Sequence, residues 1–287
     1  MYLLFDIGAT KMRVAVSVDG ETFGEPAIEE TPQDFEEGVL RITALALERS
    51  GGQKIAAACG GIAGPFDRTK SVLVNAPHLP KWKGKPLRAA LEAKLGTPVT
   101  LENDTALVGL GEATAGAGKG QRIVAYITVS TGVNGVRTVG GNIDESALGF
   151  EIGHQIIDAG GALANAFHGE GRLEDFVSGS SFLRRFGKHP RDITDEAMWE
   201  ETARLLAIGV HNTILHWSPD IVVIGGSMMK TPGISLARVD EHLKKILTIF
   251  PERPPLVPAS LGDFGGLHGA LALLQKQHRS ARQKESI

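Results

Sequence analysis

The sequence is poor in cysteine, in aromatic residues and in long uncharged stretches. Its 287 residues contain one cysteine, Cys59, so no disulfide can form within the chain. Cys59 lies in the apolar run 55–59, which favours a core residue over a nucleophile. No uncharged stretch is long enough to cross a bilayer, and the apolar N-terminus is interrupted by Asp6 without a basic segment before it. We therefore expect a soluble, cytoplasmic protein with no membrane partner.

The chain also lacks a strong charge of either sign. It has 30 Lys and Arg against 33 Asp and Glu, a net charge of −3, which gives no general attraction to nucleic acid. The length is sufficient for two lobes. A glycine-rich polar stretch at 116–120 predicts the boundary, with an N-terminal α/β lobe over 1–117 and a larger α/β lobe over 118–287. The final helix, about 266–280, is a candidate to pack back onto the first lobe.

Hydrophobic periodicity predicts β-β-β-α-β-α for the first lobe. The stretch Thr31-Pro32 predicts a helix start, with Thr31 as N-cap and proline in the first turn, and the helix runs to about Arg49. A strand over 55–59 is followed by the loop 60–65, and helices are predicted over 86–95 and 105–116.

Two strand ends carry polar residues suited to chemistry. Asn103 and Asp104 lie where a strand meets a helix, and Asp104 taken alone is best interpreted as an N-cap. The turn 6–11 combines glycine, a hydroxyl and a lysine, a composition that can hold phosphate through backbone N–H groups. A second turn with Gly and Thr, 130–135, again joins two strands. This weak internal repeat predicts two hairpins that clamp a polyphosphate between the lobes.

Four segments in this order resemble the ROK family of sugar kinases, within the actin/hexokinase/Hsp70 superfamily: Asp6-Ile7-Gly8-Ala9-Thr10-Lys11, Glu102-Asn103-Asp104, Glu151-Ile152-Gly153-His154 and the strand with glycine turn over 219–227. The resemblance spans nearly the whole chain. It implies an α/β, two-lobed actin-like ATPase (ribonuclease H-like) fold with a cleft between the lobes.

The resemblance also implies roles for individual residues. Asp104 would be the general base that accepts the proton of a sugar hydroxyl, and Asp6 would orient Mg²⁺ through water. The implied sugar-binding residues are Gly64, His78, Asn103, Asp104, Glu151, His154 and Glu174. The implied nucleotide- and phosphate-binding residues are Asp6, Gly8, Thr10, Lys11, Thr131, Gly132, Gly225 and Gly226.

Without the resemblance, several of these residues have plainer interpretations. Glu151 and His154 could be a surface pair on one helical turn. Glu174 could be a solvated residue, and the glycines 225–226 could be only a connection after a buried strand.

The chain departs from the family pattern in places that bear on metal and ligand binding. Family members commonly bind zinc through the histidine of Glu-x-Gly-His and three cysteines. Here the cysteine positions read Asn165, Phe167 and Arg172, so we expect no zinc. The loop 160–171 would instead be held by packing of Phe167, Leu163 and Arg172. Three further positions that are usually glycine in the family carry other residues here, namely Ala9, Ser130 and Asn134. His78 stands where the family often has an asparagine.

The function implied is ATP-dependent phosphorylation of a hexose hydroxyl, with the 6-OH of glucose as the default acceptor. Fructose, N-acetylmannosamine and N-acetylglucosamine kinases are the alternatives. A sugar-binding regulator or pseudokinase is an alternative of another class. The family's repressors carry a DNA-binding domain ahead of the first strand, which here begins at Tyr2, so a repressor is not expected. The expected partners are a sugar and ATP with Mg²⁺, and the sequence leaves a homodimer open.

Overall fold

The fold was analysed in a computed structural model that describes residues 1–76, 79–163, 165 and 169–285. The chain forms two compact units. Unit 1 comprises Met1–Ala115, Glu145–Gly149 and the chain from Asp263 onward, and unit 2 comprises Gly116–Asp144 and Phe150–Gly262. The predicted boundary at residue 117 lies within two residues of this division, but the C-terminal segment belongs to unit 1.

The strands of unit 1 form a mixed sheet in the order β3-β2-β1-β4-β5. They are β1 (Tyr2–Ile7), β2 (Lys11–Ser17), β3 (Ala27–Glu30), β4 (Ala57–Ile62) and β5 (Val99–Asn103). The first three strands pair antiparallel, and β4 and β5 continue the sheet in parallel to β1.

The strands of unit 2 repeat this topology, in the order β8-β7-β6-β9-β10. They are β6 (Ile123–Val129), β7 (Val133–Val139), β8 (Asn142–Ile143), β9 (Ile221–Gly225) and β10 (Leu256–Pro258). Their antiparallel and parallel pairings follow the same pattern. The repeat indicated by the two turns therefore extends to the whole sheet.

The α-helices in the described part of the chain are α1 (Phe35–Ser50), α2 (Leu87–Leu95), α3 (Asp104–Thr114), α4 (Leu173–Val177), α5 (Gly179–Phe186), α6 (Glu196–Trp217), α7 (Leu236–Ile246) and α8 (Gly265–Glu285). The order in the first lobe is β-β-β-α-β-α-β-α, so the predicted β-β-β-α-β-α outline is correct through α2 and omits β5 and α3. None of the helices among the described residues is both long and apolar enough to cross a membrane.

Two local predictions are wrong, each for a physical reason. The N-cap of α1 is Asp34, which accepts hydrogen bonds from the N–H groups of Glu36 and Glu37, and not Thr31. Both residue types cap helices, so the pattern alone could not decide between them. The strand predicted over 55–59 lies instead over Ala57–Ile62, because the chain stays paired with β1 and β5 through the two glycines. Glycine fits at position 60 because the ring of Phe5 occupies the space that a side chain would need.

Helix α8 completes the core of unit 1. Leu267, Ala270, Leu271 and Leu274 of this helix pack with Leu4, Ala15, Cys59 and Leu107. A Cβ on Gly269 would lie 1.8 Å from the carbonyl oxygen of Leu107, so only glycine allows this approach of α8 to α3. Burial raises the pKa of the Cys59 thiol, which agrees with an inert core residue.

Candidate active site

The carboxylate of Asp104 lies at the junction of β5 and α3. Asn103 is the N-cap, since its side chain accepts a hydrogen bond from Ala106 N at 3.2 Å. The N-cap interpretation of Asp104 is therefore wrong, and Asp104 is the first residue of the helix. Its Oδ1 accepts the N–H of Thr105 at 2.7 Å.

The backbone of Asp104 rests on β4. A Cβ on Gly61 would lie 3.0 Å from the Cα of Asp104 and 3.3 Å from the side chain of Leu107. This contact fixes the start of α3 against the sheet. Burial raises the pKa of Asp104 above its usual value, which moves the carboxylate towards the range of an effective general base.

A second carboxylate, Asp6, forms an ion pair with Arg13 in the first hairpin. The two residues are register partners of β1 and β2, and Arg13 Nη1 lies 3.3 Å from Asp6 Oδ2. Burial and the charge of Asp104 raise the pKa of Asp6 to about 7, although Arg13 opposes the shift. Arg13 was missed as a site residue. The hairpin register could have predicted this pair, because a four-residue turn over 8–11 places residue 7 opposite 12 and Asp6 opposite Arg13.

The turn between β1 and β2 exposes Thr10 and Lys11. It is closed by a hydrogen bond from Gly8 N to the Lys11 carbonyl at 3.0 Å, and a Cβ on Gly8 would lie 3.0 Å from that same oxygen. The non-glycine residues with positive φ among those described are Lys70 and Ser218, so Ala9 occupies the family's glycine position without backbone strain.

Contacts from neighbouring loops hold the Glu102-Asn103-Asp104 segment. The side-chain amide of Asn103 donates to the carbonyl of Gly64 at 3.2 Å, and Gly64 has a φ of +126°, where a side chain would be strained. Glu102 is buried, accepts the N–H of Asn103 at 3.0 Å and forms an ion pair with Lys70. The predicted residues Gly64, Asn103 and Asp104 thus lie together.

Unit 2 carries the second turn, between β6 and β7. Ser130 N donates to the carbonyl of Gly132 at 2.8 Å. Glu174, in the first turn of α4, accepts the N–H of Val133 at 2.8 Å. A Cβ on Gly132 would lie 2.7 Å from the Glu174 carboxylate, so glycine is needed for this contact. Glu174 is therefore a partner of the turn and not a plainly solvated residue.

The Glu-x-Gly-His segment packs onto the end of the same turn. Ile152–His154 forms a 3₁₀ helix, and a Cβ on Gly153 would lie 2.1 Å from the carbonyl oxygen of Val133. Glu151 and His154 are exposed on either side of this buried glycine. The structure thus brings the segment, Glu174 and the second turn to one region of unit 2.

The two glycines at the end of β9, Gly225 in the strand and Gly226 after it, lie at that region as well. Gly226 has a φ of +102°, and a Cβ there would lie 2.2 Å from the carbonyl oxygen of Val129. Beside the turn is a cavity of about 490 Å³, which is within the usual size of small-molecule sites. Its lining includes Thr131, Ser180, Arg191, Ser227, Met228 and Lys230.

Some predicted positions fall outside the described residues, namely His78 and Phe167. The loop expected to be held by packing is held mainly by polar contacts in its described part. Asp158 accepts the N–H groups of Ala162 and Leu163 at 3.1 and 2.8 Å, while the Leu163 side chain is 41% exposed. Among the described residues, no three His, Cys, Asp or Glu side chains form a metal-binding group; the expectation of no zinc stays a prediction.

Two mixed sheets of the same topology, each with a glycine-containing hairpin turn, place the chain in the class of two-lobed α/β proteins with the actin-like fold, and comparison with known proteins gives the family. The model of the ROK family matches residues 2–277, so the chain belongs to the ROK family.

The chain is 25% identical to a glucokinase of Thermotoga maritima, over 95% of this chain and 96% of the relative. It is 29% identical to an N-acetyl-D-glucosamine kinase of Escherichia coli, over 95% of this chain and 99% of the relative. The crystal structure of a ROK hexokinase from Thermus thermophilus superposes with a TM-score of 0.83 at 28% identity, covering 96% of this chain and 99% of that chain. The relatives share one reaction class, phosphoryl transfer to a sugar, and differ in the sugar.

Proposed function

We propose that this protein is an ATP-dependent hexose kinase that phosphorylates the 6-OH of glucose or a closely related sugar. The observation that carries the proposal is the Asp104 carboxylate, half-buried at the N-terminus of α3 and fixed there by Gly61 and by the Asn103 cap. Family membership and its sugar-kinase relatives support the same reaction.

Asp104 acts as the general base in this proposal. Phosphoryl transfer asks little covalent chemistry of the protein, and positioning supplies most of the rate. The carboxylate accepts the hydroxyl proton as the sugar oxygen attacks the γ-phosphorus of ATP, and ADP leaves with the electron pair of the broken P–O bond. The raised pKa of Asp104 makes it a stronger base than a free aspartate.

The nucleotide is held by turns that present backbone N–H groups. In unit 1 these come from the turn 8–11 with Lys11, and in unit 2 from the turn at Thr131 and Gly132. Mg²⁺ enters with ATP as part of the substrate. The carboxylates of Asp6 and Asp104 offer the hard oxygen donors that Mg²⁺ prefers, and Asp6 would meet the ion through water.

The sugar is recognised by polar groups that suit vicinal hydroxyls. Unit 1 contributes the Asn103 side chain and the Gly64 backbone. Unit 2 contributes the side chains of Glu151, His154 and Glu174. Glu174 is supported as a site residue by its hydrogen bond to Val133, which ties it to the second turn. We also propose that the protein works in the cytoplasm, where both substrates are available.

The test is steady-state turnover of MgATP across a panel of glucose, fructose, N-acetylmannosamine and N-acetylglucosamine, repeated with Asp104→Asn. We expect kcat to fall at least about 100-fold with little change in KM, because only the transition state uses the base. Unchanged kcat in Asp104→Asn would remove Asp104 from the base role.

N-acetylglucosamine is the second candidate sugar, because the relative that acts on it is 29% identical to this chain. The panel decides between the two through the ratio of their kcat/KM values. Sugar binding without ATP turnover in the wild type would refute the kinase proposal in favour of a non-catalytic sugar-binding protein.

A further inference from the structure

Thr31 connects the strand β3 to the phosphate turn of unit 1. Its side-chain hydroxyl donates to the carbonyl oxygen of Gly8 at 2.7 Å, and its backbone N–H donates to the carbonyl of Thr10 at 2.9 Å. The residue is only 5% exposed. We propose that Thr31 is a positioning residue for nucleotide binding, because it turns two carbonyl oxygens of this turn away from the phosphates.

The direction of the carbonyl groups decides what such a turn can bind. Backbone N–H groups attract an anion, whereas a carbonyl oxygen pointing at the same place repels it. In this turn the oxygens of Gly8 and Thr10 are bonded to Thr31, and that of Lys11 is bonded to Gly8 N. These three oxygens are engaged by the protein, so none of them is left to repel an anion at the turn.

Helix capping does not account for the Thr31 hydroxyl. The cap of α1 is Asp34, whose Oδ1 lies 3.0 Å from Glu36 N and 3.3 Å from Glu37 N. A hydroxyl that only stabilised the start of this helix would donate nothing to Gly8, 23 residues earlier in the chain.

Unit 2 restrains the carbonyl oxygens of its own turn with different residues. The Ser130 carbonyl accepts Gly179 N at 2.7 Å, and the Thr131 carbonyl accepts Ser180 N at 3.1 Å and the Ser180 hydroxyl. These donors come from the start of α5, whereas Thr31 follows a strand. The same restraint reached by unrelated segments indicates that the orientation of the carbonyls matters for what both turns bind.

The inference rests on the proposed function, and its test separates the two. Thr31→Val keeps the shape and removes the hydroxyl, and Thr31→Ser keeps the hydroxyl. Thr43→Val is the matched control, because Thr43 donates an equivalent hydroxyl bond to the Val39 carbonyl at 2.8 Å within α1. The measurements are the Kd for Mg-AMPPNP by calorimetry, the KM values for MgATP and sugar, and thermal unfolding.

We expect Thr31→Val to raise the Kd for Mg-AMPPNP and the KM for MgATP by about five- to tenfold, the loss usual for one hydrogen bond. The KM for sugar should change by less than about twofold. Thr31→Ser should restore nucleotide binding, and Thr43→Val should bind nucleotide as the wild type does.

A Thr31→Val variant with a lower Tm and an unchanged nucleotide Kd would overturn the inference, as would equal defects in the valine and serine variants. Failure of Thr31→Val to fold would also count against it, since the hydroxyl would then serve only the fold. Wild-type protein that binds Mg-AMPPNP but phosphorylates no sugar refutes the proposed function alone. Wild-type protein that binds no nucleotide refutes both.

Discussion

The two units share one sheet topology but differ in charge at equivalent positions. In unit 1, the residue before the last of β1 is Asp6, paired with Arg13 across the hairpin. In unit 2, the corresponding residue of β6 is Thr128, paired with Asn134. The strand on the other side contributes a glycine in both cases, Gly61 opposite Asp6 and Gly225 opposite Thr128.

The comparison separates scaffold from chemistry. A repeated scaffold provides each unit with a strand–turn–strand hairpin, while only unit 1 places a carboxylate and a guanidinium at its base. The raised carboxylate pKa values of Asp6 and Asp104 both belong to unit 1. Proton transfer is therefore expected to depend on unit 1, whereas the hairpin of unit 2, with Thr128 and Asn134 at the equivalent positions, is expected to contribute neutral contacts.

The sharpest way to break this comparison is to remove the charge of Asp6. Asp6→Asn should lower kcat by about 100-fold, because a preorganised charge at the reacting centre is lost. The matched change in unit 2, Thr128→Val, should lower kcat by less than about threefold. Equal effects of the two substitutions, measured in steady-state assays, would show that the charge difference between the units has no catalytic meaning.

The same Asp6→Asn variant should be more stable than the wild type in alkaline solution. The pKa of about 7 for Asp6 in the folded protein lies above the ordinary aspartate value of 3.8, so between these pH values the folded protein binds a proton that the unfolded chain has lost. Wild-type stability thus falls as pH rises through this window, and the full cost is present above pH ~7. The variant's advantage, up to about 4 kcal/mol for three pKa units, should appear in urea unfolding at pH ~8 and vanish near pH ~4. A stability advantage of Asp6→Asn that did not depend on pH would show that the raised pKa of Asp6 is not its cause.

The two equivalent glycines provide a second test. A Cβ on Gly61 would press on the backbone of Asp104, so Gly61→Ala should lower kcat by about tenfold through displacement of the base. A Cβ on Gly225 would lie 2.8 Å from the Cβ of Ala259 and 3.0 Å from the Tyr126 hydroxyl. Gly225→Ala should therefore lower stability by about 1–3 kcal/mol and raise the KM for MgATP more than it lowers kcat. Steady-state kinetics and urea unfolding of both variants separate the effect on kcat from the effects on KM and stability. A kcat defect confined to Gly225→Ala would contradict the assignment of the base to the Gly61 side of the comparison.

The smallest effect is expected for Ser180→Ala. The Thr131 carbonyl keeps the hydrogen bond from Ser180 N and the Ser130 carbonyl keeps that from Gly179 N, so the turn of unit 2 stays oriented. We expect the KM for MgATP to rise by about twofold, less than in Thr31→Val. A larger loss in Ser180→Ala than in Thr31→Val would show that the second turn depends more on its hydroxyl than the first.

The sequence was sufficient to locate most strands and helices of unit 1 and the segments that carry polar residues, but not the exact bounds of β4 and α1. Alternating apolar residues predicted the hairpin strands, and the strand–helix junction placed Asn103 and Asp104 correctly in the chain, because these signals are local. The position of the helix cap was wrong at both α1 and α3. Thr31 and Asp34, and likewise Asn103 and Asp104, are all residues that cap helices, so local preference could not distinguish them.

Contacts between distant segments could not be predicted from local pattern. The hydrogen bond between Glu174 and Val133, 41 residues apart, depends on how α4 packs beside the sheet. The ion pair of Glu102 with Lys70 depends on a loop whose lysine adopts a positive φ. The Asp6–Arg13 pair is different, because hairpin register alone contains it.

The place of α8 has a consequence for how the protein is made. The apolar side of α8 covers Leu4, Ala15 and Leu107 of unit 1, yet this helix follows all of unit 2 in the chain. As the polypeptide leaves the ribosome, these residues lack the cover of α8 until the last helix has been translated. A nascent chain of this protein therefore exposes part of the apolar core of unit 1 for most of its synthesis. Chaperones engage incomplete domains that expose such surfaces.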